Sequence, residues 1–203
     1  DVLFSVKNLG ELSDRIKDRL LSYGEQMSSK IVSSFLQSEN FPAVFQDSRE
    51  LIATDSHFGN ANVDSKKTNE NLKNWKLENQ IYVVTGFIAK DKNDDTTTLG
   101  RGGSDYTAAI LGSGLKADEI QIWTDVDGFL TADPRLVKNA FSQSELSYQE
   151  AMEMSYFGAK VIYPPTMIPA IESQIPIYIK NTFKPESQGT LIHQKSEISK
   201  GLI

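Results

Sequence analysis

The chain has 203 residues, 39% hydrophobic and 24% charged, the composition of a soluble globular domain long enough to bury one substantial core. Its net charge of −6 comes from 27 acidic and 21 basic side chains, with the lysines and arginines scattered rather than striped, which argues against a nucleic-acid partner. With no cysteine and only His57 and His193 as imidazole donors, disulfides and a structural zinc site are excluded, and no apolar run approaches the roughly 20 residues that span a bilayer.

The first residues, Asp1-Val2-Leu3-Phe4, show no basic region or cleavage site of a signal peptide, so the expected compartment is the cytoplasm. Over residues 9–39, Leu12, Ile16 and Leu20 and then Met27, Ile31 and Phe35 recur at helical spacing. Gly24 between the two runs predicts two helices with a break. Strands are expected at residues 41–45, 81–88, 119–124, 175–179 and 190–192, short runs rich in aromatic and β-branched residues and bounded by turn formers. Helical patterns fill the intervals at residues 65–78, 104–115, 147–156 and 165–173, the second opened by a capping Ser104-Asp105 pair and the last by Pro165. Residues 91–95 read as a charged loop and 193–203 as a polar tail or linker stub. Trp75, Tyr106 and Trp123 are expected in or near the core, and both histidines at the solvated surface. Alternating strands and helices predict an α/β fold, a layered α/β/α sandwich with a mostly parallel central sheet, occupying residues 1–192.

Four segments can carry chemistry. The richest is Thr96-Thr97-Thr98-Leu99-Gly100-Arg101-Gly102-Gly103-Ser104-Asp105, after a strand and before a helix. Its glycines let backbone amides approach a ligand, the helix start offers N–H groups and partial positive charge, and Arg101 adds a planar fork suited to carboxylate or phosphate. A plain glycine-rich turn with Ser104 as cap is the alternative. The spacing matches neither the Walker A nor the dinucleotide fingerprint. Next, Thr124 and Asp125 stand at the carboxyl end of a strand, where open α/β sheets bind ligands, with Arg135 able to reach a phosphate; the alternative is turn chemistry, with Asp125 and Asp127 bonded to nearby amides. Lys160, beside Phe157-Gly158-Ala159, either contacts a phosphate or complements a helix dipole. Glu25, in Tyr23-Gly24-Glu25-Gln26, either binds a ligand or balances the dipole at a helix start.

Together, Gly24-Glu25, the 96–105 segment, Trp123-Thr124-Asp125 through Asp133-Pro134-Arg135, and Phe157-Gly158-Ala159-Lys160 stand in the order and spacing of aspartokinases of the amino acid kinase family, which the chain resembles over residues 8–192. The resemblance implies that Glu25 binds the α-amino group of aspartate, that Arg101 with Gly102, Ser104 and Asp105 holds substrate carboxylate, and that Thr124, Asp125, Arg135 and Lys160 line the ATP site. Leu130 falls where some relatives have a tyrosine, so no ring contact with nucleotide is expected there. The implied reaction moves the γ-phosphoryl group of ATP, with Mg²⁺, onto the β-carboxylate, giving 4-phospho-L-aspartate for lysine, threonine, methionine and isoleucine synthesis. No metal-binding side chain is assigned, and a homo-oligomer is implied for the full-length protein.

Family members begin with a strand and a Lys-Phe-Gly-Gly-Thr-Ser segment that supplies a catalytic lysine, and nothing like it precedes Asp1. The chain is therefore expected to be the carboxyl-terminal two-thirds of the kinase domain and inactive alone; regulatory ACT domains or a fused homoserine dehydrogenase would lie outside it. The rivals are a kinase of another small carboxylate, against which the 96–105 run argues, and a non-catalytic ligand-binding or regulatory fragment.

Overall fold

The computed structural model describes residues 7–8, 10–132, 137–157 and 162–194. Arg135, Lys160 and most of the expected tail lie outside the described residues. The chain divides into two compact units, Asp1–Thr107 and Ala108–Ile203.

The first unit opens with α1, Asp14–Ser38, capped by Ser13, whose side chain accepts from the Ile16 amide at 3.4 Å. The expected break at Gly24 is absent and α1 is one helix, since an interior glycine costs only about 1 kcal/mol against a long run of compatible residues. Its end comes where Asn40 turns left-handed (φ 64°) and the Phe41 amide closes on the Leu36 carbonyl. The expected period is right, but the stripe faces outward. Asp18, Ser22, Ser29 and Ser33 are buried, while Met27, Ile31 and Phe35 are exposed.

Strand β1, Ala43–Gln46, pairs in parallel with β2, Ile81–Val84. Between them lie a 3₁₀ turn, Ser48–Glu50, and α2, Ser65–Asn74, capped by Asp64. The single strand expected at 81–88 is two, because Phe87 adopts φ 68° and breaks the ladder after β2. Beyond it β3, Ile88–Lys90, pairs antiparallel with β4, Thr96–Thr98. The join is held by Ser48, whose amide donates to Thr85 Oγ1 and whose hydroxyl donates to the Ile88 carbonyl, at 2.8 and 2.6 Å. Residues 91–95 form the expected loop, folded around Asp91, which accepts from the amides of Asn93 and Asp95.

Helix α3, Gly103–Leu115, continues into the second unit. That unit holds β5, Ile120–Thr124; β6, Glu145–Ser147; α4, Tyr148–Phe157; a 3₁₀ turn, Pro164–Met167, leading into α5, Ile168–Glu172; β7, Ile177–Asn181; and β8, Thr190–His193. The sheet order is β5-β7-β8-β6, with β5/β7 and β6/β8 parallel and β7/β8 antiparallel. Its core gathers Phe129, Leu146, Met167, Ile177, Ile179 and Ile192, all nearly or fully buried.

The α/β expectation holds. Among the described residues three of the five strand pairings are parallel, although they fall in three separate sheets rather than one. Trp75 meets Tyr82 edge-on at 4.9 Å. Trp123, expected near the core, instead lies 44% exposed on β5 with the Lys180 ammonium over its ring, because alternate residues of a strand with one buried face point to solvent. His193, expected as a solvated side chain, pairs with Glu145 across β8 and β6.

Candidate functional site

The first unit builds a pocket from two elements. Strand β4 ends at Thr98, and Gly100 and Gly102, both left-handed (φ 72° and 69°), turn the chain so that the Gly103 amide reaches the Gly100 carbonyl and α3 begins. A side chain at Gly100 would be strained by that φ and would place its Cβ 2.2 Å from Asn60 Oδ1. Across from this turn, α1 delivers Glu25. The open cleft between them has a volume of about 330 Å³ and is lined by Glu25, Phe87, Gly100, Gly102, Gly103, Ser104 and Asp105.

Four of the five residues expected to hold the substrate therefore meet in one pocket: Glu25, Gly102, Ser104 and Asp105. Arg101 sits between the two left-handed glycines, exposed, and does not form part of the wall. Glu25 is not at a helix start, as its neighbours suggested, but midway along α1. Macrodipole balance therefore does not explain it, because that effect fades beyond the first turn.

Burial pushes the carboxyl groups of both Glu25 and Asp105 above their ordinary range. Two partly desolvated acids in one pocket favour a ligand carrying a positive group. The start of α3, with glycine at Gly102 and Gly103, favours a negative one. A zwitterion of small size satisfies both.

Phe87 lines this site, and Asn60 and Asp18 support the segments that form it; none of the three was singled out from the sequence. Phe87 lines the pocket in a left-handed conformation costing about 1–2 kcal/mol for a bulky residue, held by its amide donating to Thr107 Oγ1 at 3.0 Å. The signal available was Thr85-Gly86-Phe87, a glycine inside a strand pattern, which marks a kink or close approach.

In the second unit Thr124 ends β5 and Asp125 follows it; the Thr124 hydroxyl donates to Asp125 Oδ1 at 3.2 Å and the Thr124 carbonyl accepts from the Thr182 amide at 2.8 Å. Asp127 is engaged otherwise than expected. Its carboxylate accepts from Lys184 Nζ at 2.7 Å and Asn181 Nδ2 at 2.5 Å, and these bonds hold its carboxyl below the usual range. It ties the turn after β5 to the end of β7. Arg135 and Lys160, expected near phosphates, lie outside the described residues. Among the described residues no cluster of three His, Asp or Glu side chains can hold a metal ion.

The sequence matches the amino acid kinase family over residues 4–181. The chain belongs to that family. Among its amino acid kinase relatives, a bifunctional aspartokinase/homoserine dehydrogenase of Buchnera aphidicola is 40% identical over 97% of this chain and 24% of its own length. Aspartokinase 3, chloroplastic, of Arabidopsis thaliana is 40% identical over 100% of this chain and 37% of its own. The structure of E. coli aspartokinase III in complex with aspartate and ADP superposes with a TM-score of 0.89 at 37% identity, over 97% of this chain and 46% of that one. A UMP kinase from Bacillus anthracis, TM-score 0.62 at 19% identity, shares the fold alone. The chain thus spans less than half the length of the aspartokinases it matches.

Among the described residues no helix is long and apolar enough to cross a membrane.

Proposed function

We propose that this chain, residues 1–192 above all, is the carboxyl-terminal two-thirds of an aspartokinase domain. The full-length protein would transfer the γ-phosphoryl group of ATP to the β-carboxylate of aspartate. The observation that carries it is the pocket of the first unit, where Glu25 on α1 meets the glycine turn and Asp105 in the first turn of α3. Glu25 is assigned to the α-amino group. Arg101, Gly102 and Ser104 are assigned to substrate carboxylate, with Asp105 orienting it at the helix start.

Thr124 and Asp125, at the carboxyl end of β5, are assigned to the base and ribose side of ATP, and Arg135 and Lys160 to its phosphates. A β-carboxylate oxygen attacks the γ-phosphorus as the bond to the bridging oxygen breaks, so 4-phospho-L-aspartate forms and ADP leaves. No general base is required, since the attacking group is ionised at neutral pH. The protein's share is to position two anions and neutralise their charge. Mg²⁺ would be held by the nucleotide phosphates and would offset their charge.

The aspartokinase names of the relatives support the substrate. Exposed Met27, Ile31 and Phe35 support a homo-oligomer of the full-length protein.

The test is ADP release by the full-length protein with aspartate, glutamate or no amino acid, with hydroxylamine trapping of the acyl phosphate. Aspartate-dependent release and trapping are expected, with the KM for aspartate raised at least about tenfold in Arg101→Ala and the KM for ATP little changed. ADP release indifferent to aspartate would overturn the substrate assignment.

A further inference from the structure

Asp18 is fully buried and takes no direct part in the pocket, yet it is the point where three segments around the pocket meet. Its Oδ2 accepts from the amides of Gly59 and Thr98, at 2.8 and 2.9 Å, and its Oδ1 from the Thr98 hydroxyl at 2.9 Å. A buried acid is tolerated only when its acceptors are satisfied in this way. Each partner leads to the site. Thr98 closes β4, two residues before the Gly100 turn; Gly59 precedes Asn60, whose side chain packs against Gly100. Asp18 itself lies seven residues before Glu25, two helical turns, so both side chains project from one face of α1.

We propose that Asp18 is a positioning residue that fixes Glu25 against the glycine turn and thereby sets affinity for the amino acid substrate. This rests on the pocket being the aspartate site. The lever is simple: a side chain reaches about 6 Å from the helix axis, so a 10° rotation of α1 moves it by about 1 Å. A displacement of that size at a reacting or orienting group is worth up to about 100-fold. Three converging hydrogen bonds at Asp18 resist both rotation and sliding of the helix, which the exposed apolar face of α1 does not. Asparagine can reproduce the set, its carbonyl oxygen accepting both amides and its NH₂ donating to a Thr98 hydroxyl that accepts as readily as it donates. Alanine cannot.

The experiment compares Asp18→Ala, Asp18→Asn and Leu146→Ala, a core change in the other unit, in the full-length protein. Steady-state kinetics and amide hydrogen exchange are the two readouts. Asp18→Ala should raise the KM for aspartate at least about tenfold with the KM for ATP within about twofold, and the Gly59 and Thr98 amides and residues 100–105 should exchange faster. Asp18→Asn should restore both. Leu146→Ala should lower Tm without moving the KM for aspartate. An equal rise in both KM values, unchanged KM for aspartate in Asp18→Ala, or failure of asparagine to rescue would overturn the assignment. If the unsubstituted protein shows no aspartate-dependent turnover, the activity assignment fails by itself, and hydrogen exchange then decides Asp18: faster exchange confined to residues 59 and 98–105 and reversed by asparagine supports it, and uniform or absent change overturns it.

Discussion

Replacing Gly100 by alanine strikes two features of the site at once. The residue sits at φ 72°, and an L side chain there costs about 1–2 kcal/mol. The new Cβ would also lie 2.2 Å from Asn60 Oδ1. Asn60 is exposed and its side chain can turn aside, for about 0.5–1.5 kcal/mol of off-rotamer strain. The sum is about 1.5–3.5 kcal/mol, or a fall in Tm of about 3–14 °C for a chain of this length. Urea denaturation read by midpoint at constant slope measures it. Asn60→Ala alone, at an exposed position, should change stability by less than about 0.5 kcal/mol. In that background Gly100→Ala should cost only about 1–2 kcal/mol, a coupling of about 1 kcal/mol that a double-mutant cycle resolves. A Gly100→Ala variant as stable as its parent would refute the left-handed turn, and equal costs in the two backgrounds would refute the Asn60 contact.

Gly24 should behave in the opposite way, because it lies inside α1 and an added Cβ meets nothing within 4 Å; Gly24→Ala is expected to stabilise the fold by about 0.5–1 kcal/mol in the same titration, and a loss of stability would argue for the broken helix. For Glu25 the sign follows from its raised carboxyl pKa. The folded state binds the proton more tightly than the unfolded state, so stability is fully present below the ordinary value of 4.5 and is lost as pH rises through the raised one. Glu25→Gln should therefore unfold at higher temperature than its parent near pH 7, with the gap closing below pH 4.5; a gap that widens in acid would show that the carboxylate is stabilised instead.

The elements with a strong local signal were legible in the chain. Strands at β1, β5, β7 and β8 and helices at α2, α3 and α4 follow from apolar and β-branched runs, caps and turn residues, each acting within a few residues of itself. The glycine turn before α3 was legible for the same reason, from its three glycines, although α3 begins at Gly103 and so holds Ser104 inside the helix rather than at its cap. What the sequence could not decide was every relation between distant segments. Helical period marked the helical residues of α1 but neither their continuity through Gly24 nor the buried face, which goes to Asp18 and the serines, with Thr98 and Gly59 donating to Asp18. Strand β6 has only three residues and exists by pairing with β8. The left-handed Phe87 is held by Thr107, twenty residues away, so Gly86 could hint at a kink but not at what holds it. The chain alone named the 96–105 segment from its glycines and the helix that follows, and Glu25 through the resemblance to aspartokinases. Only the tertiary structure set Glu25 in mid-helix opposite Gly102 and Asp105, because which donors and acceptors meet across sequence separations of dozens of residues is decided by packing and not by local preference.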